Sequence, residues 1–217
     1  MYNIKYMGKY EREEQLLTGE LDPRAVKYDE PDSISEIFNM GFKLFSPVFI
    51  AIFVLIFIRV RFWSVSIWDI NFVNLGLALV VGFVLQIAFI AVHEILHAVS
   101  FPRKARKEVW VKPSEFVAFV YSSAIVSKVR FIWMSLCPNI ILGFIPYLLW
   151  MLGIFGFGSL LSNIVIITAM FNIMSGVGDY LNVYLTIKQV PKGGFVQSYG
   201  LHSYWIRESS ENKRKFD

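Results

Sequence analysis

Four apolar stretches, each long enough to cross about 30 Å of hydrocarbon, leave this chain few ways to fold. They lie near residues 42–60, 72–101, 131–152 and 160–187 of 217. In lipid, a segment of that length must satisfy its own backbone hydrogen bonds, which means a helix. The expected fold class is therefore all-α: an integral membrane protein of about four transmembrane helices. Residues 106–121 add a short hairpin between the second and third, since two β-prone runs flank the turn Lys112-Pro113-Ser114-Glu115. Composition agrees. The chain is 55% hydrophobic and 18% charged, against about a quarter charged in soluble domains. Pro138 and Pro146 interrupt the third stretch, so each needs a kink or a neighbour that satisfies the freed carbonyl.

Charge sets the expected orientation. Nineteen of the 21 Lys and Arg residues fall in the arm up to the start of the first stretch (Lys43), the 102–130 loop and the tail, whereas Arg59 and Arg61 alone lie at its far end. Positive charge stays inside, so both termini and the 102–130 loop, with its hairpin, are expected on the cytoplasmic face. Trp63 and Trp68, with Trp150 nearby, would mark the outer interface, and Trp110 and Trp133 the inner one. The net charge of +4 thus suits a lipid surface, and no interleaved aromatic and basic motif speaks for nucleic acid. The implied division is a cytoplasmic arm over 1–40, a membrane-embedded domain over 41–187 and a cytoplasmic tail over 188–217. The arm has no apolar leader region, so targeting falls to the internal segments. Ser33 and Glu36 form a capping box that starts a helix toward the first stretch. Cys137, the one cysteine, reads as a small apolar residue.

The chemistry is concentrated in His93-Glu94-Ile95-Leu96-His97, an H-E-x-x-H motif inside the second stretch. On a helix the histidines share one face and can bind one ion, and the glutamate between them can handle the proton of a hydrolysis. Ionisable groups at that depth are costly, which favours function over packing. A catalytic zinc takes three protein ligands. Asp179 is the one other acid well inside the apolar stretches. Counted from the inner basic anchors Arg103 and Lys188, His93, His97 and Asp179 lie roughly 15, 9 and 14 Å deep at 1.5 Å per residue. Gln86, His93, His97 and Ser100 form one polar stripe, and Asn172, Ser175, Gly176, Asp179 and Asn182 another. Facing each other, they would make a wet interior. Asn139, Asn172 and Asn182 are candidates to contact substrate or to support the ligands, although helix packing also accounts for each. His202 reads as a surface residue of the tail.

H-E-I-L-H in an apolar helix, a proline-containing span and the late Gly178-Asp179 resemble the putative zincin peptidase family of bacterial membrane proteins, over about 85–187. That family is itself similar to site-2 proteases, whose acidic ligand usually sits in Asn-Pro-Asp-Gly or Leu-Asp-Gly, where this chain has Val177-Gly178-Asp179-Tyr180. The resemblance implies His93, His97 and Asp179 as zinc ligands, Glu94 as the catalytic carboxylate and peptide as the substrate. It also implies that the 106–121 hairpin could present substrate as an added strand. The expected activity is that of a membrane-embedded zinc metallopeptidase with one zinc per chain. It would hydrolyse peptide bonds of a membrane protein or peptide, in or near the bilayer, by zinc-activated water. The same polar faces also fit a non-catalytic membrane protein, a pseudopeptidase or an immunity-type partner binder.

Overall fold

A computed structural model describes residues 3–62, 71–115 and 117–207. Two helices open the apolar part: α1, Ile34–Phe62, and α2, Phe72–Ser100. Ser33 accepts the Glu36 amide at 3.3 Å and Asn71 accepts that of Asn74 at 3.0 Å, so both starts are capped by short polar side chains. The third stretch is a composite: α3, Lys128–Asn139, a π-helical segment over Ile140–Phe144, and α4, Ile145–Met151. The π segment lies between the two prolines, where the regular ladder cannot run. The fourth stretch is α5, Leu160–Ser175, and α6, Val177–Gln189, bent by 45° at Gly176. Three of these helical segments are long and apolar enough to cross a membrane, or four if the bent pair counts as one. Their outer faces are bare and apolar, with Phe57, Val80, Phe83 and Ile87 each more than 60% exposed. Patches of that extent are foreign to a surface made for water. Trp63 and Trp68, expected at an outer interface, lie outside the described residues.

The all-α expectation is wrong. The chain is about 60% helical and carries seven strands in two sheets among the described residues. One sheet has the order β1-β3-β4, from β1 (Ile4–Lys9), β3 (Lys107–Lys112) and β4 (Val117–Tyr121). Its β3–β4 pair is the hairpin between the second and third stretches, and β1 joins it in parallel, Ile4 opposite Lys107. The other sheet has the order β2-β7-β6-β5. Here β2 is Val26–Lys27, β5 Val126–Ser127, β6 Phe195–Tyr199 and β7 His202–Ile206. Segments expected as polar arm and tail therefore pair with each other and with the loop before α3. The physical reason is burial. Tyr28, Val126, Val190 and Val196 close over Phe131, Met134, Leu181 and Leu185 of α3 and α6. Tyr10 and Leu16 of the arm pack on Trp110 and Tyr121. These apolar residues are too sparse in sequence to read as strands, yet each finds a core.

At the opposite end, the α1 and α4 C-termini are tied together. The buried Arg59 donates from Nε to the Met151 carbonyl at 2.8 Å, and its guanidinium lies over Phe157, 5.0 Å from the ring centre. In the helical core, α1, α4, α5 and α6 meet around Phe49, Tyr147, Ile173 and Tyr180.

Candidate metal centre

The H-E-x-x-H spacing puts His93 and His97 one turn apart on α2, and their Nε2 atoms lie 3.1 Å from each other. Asp179 enters from α6. Its Oδ2 is 3.2 Å from His93 Nε2 and its Oδ1 3.4 Å from His97 Nε2. The bend at Gly176 makes this possible, because it places Asp179 in the first turn of α6, where the helix dipole favours a carboxylate. The Glu94 carboxylate lies within 4.8 Å of the imidazole nitrogens, a step further out than Asp179, and accepts a hydrogen bond from the Val120 amide of β4.

The atoms around these side chains hold them in place. Pro138 has no N–H, so the carbonyl one turn back, that of Met134, is released from the α3 ladder. It accepts from His97 Nδ1 at 2.9 Å. In the neutral ring this leaves a lone pair, not a proton, on Nε2, the atom that faces His93 and Asp179. Asn139 donates from Nδ2 to Asp179 Oδ2 at 2.7 Å and to the Ser135 carbonyl at 3.3 Å. Its carboxamide presses on Gly176, where even a Cβ would overlap it, 2.8 Å from Nδ2 and nearer still to Oδ1. The helix break at Gly176 and the position of Asp179 are thus one packing unit.

A metal fits this donor set. Zinc–ligand bonds of about 2.0–2.1 Å in a tetrahedron put the donors about 3.3 Å apart, and the three contacts here measure 3.1, 3.2 and 3.4 Å. A cation at their centre would answer the lone pairs and carboxylate oxygens that meet there. Two imidazoles and a carboxylate are the donor types of a catalytic zinc site, and they leave a further position open.

The site opens into a cavity of about 520 Å³, within the usual size of a ligand site. Gln86, Asn172, Ser175 and Asn182 line it with His93, His97 and Asp179, so the two polar stripes do face each other. Asn172 donates from Nδ2 to Gln86 Oε1 at 3.1 Å, linking α5 to α2. Asn139 supports Asp179 from behind, while Asn182 borders the open space. Ser100 departs from the stripe and donates instead to its own Leu96 carbonyl at 2.7 Å. The whole of β4 also borders the cavity. It is an edge strand, paired on one side with β3, and the Val120 amide that reaches Glu94 points away from that partner. Backbone groups alternate along a strand, so Ala118 faces the same way.

Sequence reasoning missed two residues of this cavity. Glu30, assigned to the arm, and His202, assigned to the tail surface, both line it, with His202 Nδ1 3.4 Å from Glu30 Oε1. They arrive through the pairing of β2 with β7, which no local pattern announces.

A comparison with protein families matches residues 86–195, just over half of the chain, to the family described as putative zincin peptidase. No curated protein and no solved structure matches the chain.

Proposed function

The chain belongs to the putative zincin peptidase family, and from that premise we propose that it is a membrane-embedded peptidase using one zinc per chain. The observation that carries this reading is the meeting of His93, His97 and Asp179 at the head of a cavity shared with Glu94 and an edge strand. His93, His97 and Asp179 hold the metal. When bound there, zinc supplies Lewis acidity toward a carbonyl oxygen and makes water more acidic. Glu94, held by the Val120 amide, takes the proton of the attacking water and returns it to the leaving amine. Met134 and Asn139 keep His97 and Asp179 aimed. The free edge of β4 holds an extended peptide by main-chain hydrogen bonds beside Glu94.

The substrate is a membrane protein or a peptide at the bilayer. The bare apolar helix faces support a lipid environment. The charge count supports a cytoplasmic position for both termini and both sheets. The sheets and the cavity mouth then share one end of the helices, and cleavage takes place near the inner leaflet.

The test is cleavage of unstructured apolar peptides by the full chain in detergent micelles or vesicles. Hydrolysis should appear with zinc, disappear on treatment with a strong chelator and return when zinc is restored. Zinc-loaded protein that cleaves no peptide would favour the non-catalytic reading. Cleavage indifferent to chelation would remove the metal from the mechanism.

A further inference from the structure

Away from the metal-site residues, the cavity wall contains a buried carboxylate, Glu30, that among the described residues makes no ion pair with a lysine or arginine. Glu30 has a side chain only 7% exposed, and Oε1 accepts the Ser203 amide at 2.7 Å. The groups that face it are His202 Nδ1 at 3.4 Å, Lys27 and Asp32, and Lys27 is itself engaged with Asp32 at 3.6 Å. On its far side Glu30 borders a second cleft with Lys43 and Lys188, but among the described residues neither is in ion-pair contact with it. Burial, the dominant influence, pushes the Glu30 carboxyl up to about 7, with Lys27 opposing the rise. Nothing in the proposed chemistry at Glu94 uses this group.

Its position is fixed rather than casual. Tyr28 donates its amide to the Ser203 carbonyl at 2.9 Å and its hydroxyl meets Thr186 at 3.1 Å. Asp29 and Gln189 exchange two hydrogen bonds, at 2.8 and 3.0 Å. The segment is thereby clamped between β7 and the end of α6, with Glu30 turned to the cavity. The same cavity is lined by the apolar Ile37, Phe38 and Leu201 and by the polar Ser198, His202 and Ser203. A partly apolar cavity with a buried carboxylate in its wall suits a long aliphatic stem with a cationic tip.

We propose that the Glu30–His202 end of the cavity is a specificity subsite for a lysine or arginine side chain of the substrate. The inference rests on the peptidase reading, since it places this subsite in the same cavity as Glu94. A desolvated ion pair between the incoming cation and Glu30 is a charge-assisted contact, and its loss costs at least about tenfold in affinity.

The test uses zinc-loaded full-length protein in micelles, carrying Glu94→Gln so that bound peptide survives. The probes are fluorescent apolar peptides with one lysine walked along the chain, each with norleucine and glutamate twins. At one register the lysine peptide should bind at least about tenfold more tightly than its norleucine twin. Glu30→Gln keeps an oxygen for the Ser203 amide and should bring the ratio near one. Glu30→Lys should prefer the glutamate twin. Equal affinities at every register, a preference that survives Glu30→Gln, or binding of no peptide overturns the subsite. The peptidase reading is judged separately, by cleavage of the same peptides with Glu94 intact. Cleavage without a lysine preference refutes the subsite alone.

Discussion

Glu94→Gln should lower peptide cleavage by about 10²–10⁴-fold while leaving the zinc content unchanged. The magnitude is that of removing a positioned general base and acid. The retention of metal follows from geometry. The three closest contacts, at 3.1, 3.2 and 3.4 Å, involve His93, His97 and Asp179 and leave Glu94 out. A carboxamide has nearly the size of the carboxylate and keeps an oxygen for the Val120 amide, so the β4 edge stays where it is. What it lacks is the ability to accept a proton. The expected split is between a turnover that collapses and a zinc stoichiometry that does not. Loss of zinc together with activity would make Glu94 a ligand and hand the proton chemistry to another group. Full activity would remove it from the mechanism.

Asp179→Ala should weaken zinc binding by more than about 100-fold, read as competition with a chromogenic chelator. Outer partners that merely orient ligands are worth about 10–100-fold, and Asp179 is in direct contact with both histidines. The substitution removes the one anionic donor of the set and leaves Asn139 Nδ2 with only the Ser135 carbonyl. It also cuts the link that a metal would make between α2 and α6. Unchanged affinity would exclude α6 from the centre and promote Glu94, the other nearby carboxylate, to third ligand.

How far the molecule could be read in advance depended on the range of the interactions. Helices of apolar residues announce themselves locally, and α2 begins and ends within a residue of the stretch read from sequence, 72–101 against Phe72–Ser100. The histidine pair is equally local, because four residues make a turn. Asp179 was reachable through an intermediate quantity, distance along the helix from the basic anchors, which put it level with the histidines it meets in the structure. The β3–β4 hairpin was legible from its turn, but the sheet β2-β7-β6-β5 offered no such handle. Val26 pairs with Trp205 and Val126 with Val196 in strands two residues long on one side, too short for an alternation to show. Everything those strands carry was hidden with them, and so Glu30 and His202 were assigned to arm and tail. Pro138 is an intermediate case. Its freed carbonyl demanded a partner on physical grounds, and the partner is the imidazole of His97, 2.9 Å away.

The central claim is that one zinc is held by two imidazoles of α2 and a carboxylate of α6. X-ray absorption at the zinc edge, on zinc-loaded full-length protein in micelles, addresses it most directly. The account predicts one zinc per chain in a four-coordinate shell of nitrogen and oxygen, with the multiple-scattering signature of two imidazoles. Protein that retains no zinc, or a zinc shell containing sulfur or lacking imidazole, would contradict it.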